Sequence, residues 1–177
     1  MQELSRTDAL RLASPYPYVV ATMLNPQGRP NAIGLSRWTI TSVSPMHVAI
    51  AVAQTRYSYE CLEHSREFVL NFPAANQAHG AWICGSRSGR RDDKLAASGL
   101  ELIPSTRVEA PTIQGATLAL ECRIRQQLKT GDHTLYDAEV LAHRGEPGHP
   151  SHLYTLNQEK LVSIDLEGHT SWELDYR

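Results

Sequence analysis

Three short stretches of this chain carry more polar chemistry than a packed core would ask for. The first, NAIGLSRWTITSVSP at residues 31–45, interleaves apolar residues with Asn31, Ser36, Thr39, Thr41, Ser42 and Ser44. A core strand wants bulk on its inner face. Small hydroxyl residues instead let a planar ring lie close while they hydrogen-bond its polar edge. The second, QTRYSYE at 54–60, ends an apolar run with Arg56, Tyr57 and Ser58 just before a short helical pattern. A helix start there would offer free N–H groups and a positive dipole end beside a guanidinium, which together hold a phosphate. A capped helix with an exposed arginine fits the same residues. The third, CGSRSGRRDDK at 84–94, clusters Arg87, Arg90, Arg91 and Lys94 with Ser86, Ser88 and Gly89. A solvated charged loop is the usual reason for such a run, and Asp92 and Asp93 weigh against nucleic acid. Taken together, the three describe one ligand: flat and polar at one end, anionic at the other, held by hydroxyls and backbone amides.

Other chemistries have little support. No G-x-G-x-x-G follows a strand, and neither a P-loop nor a nucleophile elbow is present. His149 and His152 form one close histidine pair, but they sit in a Gly/Pro loop without cysteine or carboxylate support. A solvated loop is the better reading, and no metal site is expected. Cys84 lacks a neighbouring histidine to activate it and reads as a small buried thiol.

The elements that must position these residues are mostly strands. LSRTDALRLAS reads as a short N-terminal helix within residues 1–14, with Ser5 as N-cap and Leu4, Leu10 and Leu12 on an apolar side. YVVATML is a strand, NPQGRPN a turn, and residues 31–42 one further strand. HVAIAVA is a buried strand, YSYECLEHS a short helix and EFVLNFP a strand, followed by a helical or irregular region from Ala74 to Gly99. In TLALECRIRQQL, Leu118, Leu120, Cys122 and Ile124 alternate with Glu121, Arg123 and Arg125. TLYDAEVLAH returns with Tyr136, Ala138, Val140 and Ala142 on one face, so the two make an antiparallel hairpin with a polar outside. Residues 145–177 read as a loop and a C-terminal strand extension in KLVSIDL. The expectation is a mainly β, antiparallel single domain over residues 1–177 with a few short peripheral helices.

The bulk numbers agree with that. The 177 residues are 41% hydrophobic and 20% charged with formal net charge −2, which suits one globular domain with a real core. Nothing in the charge points to nucleic acid or a membrane surface, no apolar run is long enough to span a bilayer, and the N-terminus has no secretory apolar region. Three scattered cysteines argue against a disulfide framework and for a cytoplasmic setting.

Read together, GRPNAIGLSRWT with S-x-x-P, RYSYE, FVLNFP, CGSRSGRRDDKL, LECRI and GDHTLYDAEV resemble the flavin reductase-like family, in the family's order and across residues 17 to about 143. The resemblance implies an FMN-binding split β-barrel, a homodimer with FMN at its interface. It implies that Asn31, Ala32, Ile33, Ser36 and Trp38 line the flavin ring, with Thr39 near it. Arg37 stands beside Trp38 where members often have two aromatics; it counts with the cofactor-binding residues, although a strand can also aim it outward. Ser42, Arg56, Tyr57 and Ser58 would reach the ribityl chain and phosphate, and Asn71, Phe72 and Pro73 would border the site. Ser86, Ser88, Gly89, Arg90 and Lys94 would close it or approach the phosphate and the incoming nicotinamide, with His133 near the ring. Ser44-Pro45-Met46 replaces a usual Asp-Pro-Pro, and GRRDDKL carries an extra basic residue and Leu95 in place of an aromatic.

The activity implied is hydride transfer from NAD(P)H to FMN, with electrons passed to free flavin, a monooxygenase or another redox protein; the flavin carries the chemistry and no side chain is needed as a catalytic base. Two other readings fit the resemblance: an FMN-binding electron carrier that does not oxidise NAD(P)H itself, and a flavin- or haem-binding module without turnover.

Overall fold

The structure, a computed structural model, describes residues 1–146, 148, 151–157 and 159–175. His149, half of the histidine pair weighed above, lies outside them. In chain order the strands are β1 (Tyr16–Pro17), β2 (Val19–Leu24), β3 (Pro30–Leu35), β4 (Trp38–Val43), β5 (Met46–Ala53) and β6 (Glu67–Phe72). They continue with β7 (Leu102–Ile103), β8 (Thr112–Ile113), β9 (Leu118–Thr130), β10 (His133–Gly145), β11 (His152–Leu156), β12 (Lys160–Ile164) and β13 (Thr170–Asp175). The helices are α1 (Arg6–Leu12), α2 (Tyr57–Ser65), α3 (Ala78–Ser86) and α4 (Lys94–Ser98). No helix among the described residues is long and apolar enough to cross a membrane.

Seven strands form one antiparallel sheet in the order β3-β2-β6-β9-β10-β5-β4. Its two edges, β3 and β4, are consecutive in the chain and separated only by Ser36 and Arg37. The sheet must therefore curl until its edges meet, which makes a barrel split along one seam. Residues 31–42 are thus two strands and not the single strand expected from sequence: β3 pairs with β2, and β4 pairs with β5. The chain leaves one edge and joins the other at Ser36-Arg37, where the Arg37 carbonyl accepts from the Ala51 N–H at 2.9 Å.

The barrel interior is filled by Val19, Ala21 and Met23 of β2, Val48, Ile50 and Val52 of β5, Phe68 and Leu70 of β6, and Tyr136 of β10. A second apolar cluster lies outside the barrel wall, where Val20 and Ala32 meet Ala78, Ala81 and Cys84 of α3. The strand β2 is buried on both faces, and that is why YVVATML shows no alternation. The hairpin β9–β10 turns through Gly131 and Asp132, with Gly131 at φ 60°. Its outer face is polar as the alternation suggested, but not all of it is solvated. Glu121 is fully buried and accepts from the Thr106 and Arg107 N–H groups at 2.9 and 2.6 Å, with Arg144 Nε at 3.1 Å. The segment 104–111 covers it, and a buried carboxylate is tolerable only with such partners.

Ser5 caps α1, its hydroxyl accepting from the Asp8 N–H at 3.1 Å. The apolar side expected for that helix does not enter the core: Leu4, Leu10 and Leu12 are exposed. The C-terminal region holds more than one strand. A separate sheet runs β1-β11-β12-β13 and packs Leu153 and Leu161 against the α3 cluster.

Candidate functional site

The end of β3, the end of β5, the start of α2 and the loop after α3 converge on a cavity of about 590 Å³, within the roughly 300–1,000 Å³ usual for small-molecule sites. On one side lie Ile33, Gly34, Leu35 and Ser36; on another the chain 51–53 leaving β5, and His133. Ala51 and Ala53 leave room over the sheet for a flat ring. Ser36 Oγ stands 3.4 Å from the Thr155 hydroxyl, so its hydroxyl is held near the seam.

The other end of the cavity is cationic. Arg56, Arg87, Arg90, Arg91 and Lys94 line it there, while Arg37 stands beside Ser36 at the seam; no Asp or Glu lines the cavity. In a chain of formal charge −2 that concentration of positive charge is local and directional. The start of α2 adds to it. Arg56 sits at the N-cap position in extended conformation, and among the described residues no side chain caps the helix. First-turn amides left in that state form an anion site, reinforced by the dipole.

The loop that closes the cavity is fixed at three points. Lys94 is buried, and its ammonium donates to the Cys84 carbonyl at 3.0 Å and the Arg87 carbonyl at 3.2 Å. Burial pushes its pKa below the ordinary lysine value, while the Cys84 thiol acts in the opposite sense. Arg90 pairs with Glu60 and lies over the Tyr57 ring, 5.2 Å from its centroid, a contact that ties the loop to α2. Gly89 passes over Asn31 so closely that a Cβ there would overlap the Asn31 Oδ1. Asn31 in turn donates to Ser58 Oγ at 3.0 Å. If Lys94 is replaced by methionine, which keeps the stem and removes the donors, amide exchange across residues 86–92 should accelerate about tenfold. Unchanged exchange would show that the two carbonyl bonds do not order this loop.

Cys84 reaches the cavity wall, but burial pushes its thiol pKa up, the reverse of what a nucleophile needs. Cys61 is likewise pushed up, to about 11, chiefly by burial. Among the described residues one group could be considered for a metal, Asp165, Glu167 and His169. It is an exposed turn in which Asp165 already accepts the His169 N–H at 2.7 Å.

Of the residues singled out from sequence, Ile33, Ser36, Arg37, Arg56, Tyr57 and Ser58 meet at this cavity, joined by Ser88, Gly89, Arg90, Lys94 and His133. Asn31 lies beneath Gly89 and supports Ser58. The remaining ones lie elsewhere. Ala32 is in the α3 cluster, and Ser86 is exposed at the end of α3. Thr39 and Ser42 lie on the β4 edge, beyond the kink. Trp38 packs edge-on to Phe72 at 5.0 Å, and both line a smaller cavity with Pro73 and Tyr154. Asn71 is fully buried, donating to the Val20 and Val69 carbonyls and accepting from the Ile113 N–H; it stitches β2, β6 and β8. The kink separates Asn31–Ser36 from Trp38–Ser42, which the linear reading had run together. Gly34, Ala51, Ala53, Thr55 and Gly85 line the cavity unannounced. Their only sequence signal is smallness beside the motifs, as in AVAQT.

The family model described as flavin reductase like domain matches residues 11–164. A protein of Archaeoglobus fulgidus is 32% identical over 129 residues, covering 71% of this chain and 72% of its own. The FMN-binding protein of Thermus thermophilus with bound p-hydroxybenzaldehyde is similar in structure with a TM-score of 0.77 at 22% identity, over 88% of this chain and 89% of that one. The NADH:FAD oxidoreductase of Streptomyces globisporus C-1027 gives a TM-score of 0.76 at 22% identity, over 89% and 94%. At those identities the structural likeness establishes the fold, an antiparallel split barrel.

Proposed function

The chain belongs to the flavin reductase like domain family, and from that premise we propose that it is an FMN-dependent reductase, taking hydride from NAD(P)H and passing electrons to free flavin, a monooxygenase or another redox acceptor. One observation carries the reading: the cavity pairs an uncapped helix start and five cationic side chains, with no carboxylate in its lining, to a small-residue shelf at its other end. The residues present fit the group. Arg56 and the first amides of α2 suit the phosphate, and the 33–36 backbone with Ser36 suits the polar edge of the ring. Bound there, the flavin supplies the two-electron chemistry. The chain binds, orients and leaves an approach for the donor, while the loop around Lys94 closes the phosphate end. The names of the two similar structures, an FMN-binding protein and an NADH:FAD oxidoreductase, support a flavin and a nicotinamide donor.

A second copy of the chain completes the molecule in this reading. Ile40 and Val43 are 50% and 85% exposed on β4, the strand that follows the seam, and a symmetric partner would cover them. Three unpaired, buried thiols suit a reducing cytoplasm.

The test is the visible spectrum of the purified protein with FMN, before and after anaerobic addition of NADH or NADPH. Bleaching of the flavin bands by one nucleotide is the expected result and identifies the donor. Bands that persist with both would make the protein a carrier fed by another redox protein. A protein that binds no FMN would overturn the proposal.

A further inference from the structure

One end of the barrel holds a second cavity, of about 190 Å³, where the interior meets the C-terminal sheet. Val19 at the start of β2, Trp38 at the start of β4, Phe72 at the end of β6, and His152, Leu153 and Tyr154 of β11 line it. It shares no lining residue with the cavity proposed for the flavin. His152, half of the histidine pair that gave no metal site, has its place here.

The walls are mostly rings. Trp38 meets Phe72 edge to face at 5.0 Å and 88°, and Phe72 meets His152 at 6.5 Å and 82°. Rings crossed in this way present faces and edges to a further flat ring. Among the described residues no Asp, Glu, Lys or Arg lines the cavity, so a charged ligand would lose its water without gaining a counter-ion. One polar group stands out. The Trp38 Nε1–H is buried, and among the described residues it has no acceptor. A buried indole N–H normally finds one, because leaving a donor unpaired costs more than a typical hydrogen bond returns.

Size narrows the ligand further. An apolar cavity of about 150 Å³ takes up benzene, so about 190 Å³ suits a single ring with one small substituent. We propose that this cavity binds a small, uncharged, monocyclic aromatic compound bearing one oxygen acceptor, of which phenol is the simplest. Its ring lies among Trp38, Phe72 and Tyr154, and its oxygen accepts from the Trp38 Nε1–H. The site is independent of the flavin reading.

Phenol and toluene are nearly equal in size and differ in the oxygen, so the pair isolates the indole hydrogen bond. Both are titrated into isotope-labelled protein, and the Trp38 indole N–H is followed in proton–nitrogen correlation spectra. Its signal is assigned among the three tryptophans by Trp82→Phe and Trp172→Phe. Expected is saturable binding of phenol with a Kd of about 1 mM, fitting for so small a ligand, and a downfield shift of the Trp38 N–H that toluene does not produce. Trp38→Phe keeps an aromatic wall and removes the donor, so the phenol-to-toluene affinity ratio should fall about tenfold. Because the resemblance sets Trp38, Phe72 and Pro73 near the flavin ring, the titration is repeated with FMN at saturation, and the phenol Kd should stay within about twofold. No shift of the Trp38 signal up to about 20 mM phenol, an unchanged ratio in Trp38→Phe, or displacement of phenol by FMN overturns the proposal. Should Trp38→Phe not fold, the Trp38 signal of the parent protein, with and without FMN, decides alone.

Discussion

Replacing Arg56 by alanine is expected to weaken FMN binding by about 10- to 100-fold while leaving riboflavin affinity nearly unchanged. A hydrogen bond to a charged group contributes roughly 1.5–3 kcal/mol, and each 1.4 kcal/mol is about tenfold in affinity. Arg56 is exposed in the chain, so the lower part of that range is the centre of the expectation. The helix amides remain in the variant and retain part of the phosphate affinity, because Arg56 contributes only its side chain and the start of α2 stays uncapped. Riboflavin is the control that isolates the mechanism: it has the ring and ribityl chain and no phosphate. Titration of flavin fluorescence with both ligands gives the ratio directly. Equal losses for FMN and riboflavin would place Arg56 near the ring or assign it a structural role, and the phosphate would have to be held elsewhere. Raising the salt concentration should narrow the difference between parent and variant, since an exposed charge is screened.

How much of this site was legible beforehand depends on the kind of signal each residue carries. RYS at 56–58 drew notice because a guanidinium and two hydroxyls before a helical pattern have a local meaning, and the structure brings all three residues to the cavity lining. In the loop 84–94 the sequence alone leaves each cation open between a solvated and a ligand-facing role; the structure brings Arg87, Arg90, Arg91 and Lys94 to the cavity lining. The 31–42 stretch misled because periodicity does not register a two-residue kink. Hydroxyl and apolar residues continue through Ser36 and Arg37, so one strand and one ligand face looked plausible where the chain in fact passes between the two edges of the sheet. Asn71 shows a different limit of the sequence. A buried amide that binds three backbone groups and a ligand-binding amide look alike until their partners are known. Glu121 read as an outward carboxylate because alternation reports the face of a strand and says nothing about a segment, here 104–111, that later covers that face.

The shape of the cavity depends on a close approach that only glycine allows, and substituting it should be the most costly change to the fold near the site. The Tyr18 hydroxyl is held between Gly34 of β3 and Gly85 of α3, donating to the Ala81 carbonyl at 3.2 Å. A Cβ on either glycine would overlap that hydroxyl. At Gly34 the added atom would also lie 2.6 Å from Tyr18 Cζ and 3.0 Å from the Ala81 carbonyl, so removing the hydroxyl does not make room. At Gly85 the next neighbours are at 3.4 Å, which is ordinary contact once the hydroxyl is gone. Gly34→Ala should therefore cost about 2–3 kcal/mol, a fall of roughly 5–10 °C in Tm, through overpacking that pushes α3 off the sheet. Gly85→Ala should cost less, because alanine regains up to about 1 kcal/mol of helix propensity. The discriminating result comes from Tyr18→Phe. That change should restore Gly85→Ala to within about 1 kcal/mol of Tyr18→Phe alone, and rescue Gly34→Ala only in part. Both glycines line the cavity proposed for the flavin, so flavin affinity should follow the same order as thermal stability across the set. Equal rescue at the two positions, or affinity that ignores the displacement of α3, would show that this wedge does not set the width of the site.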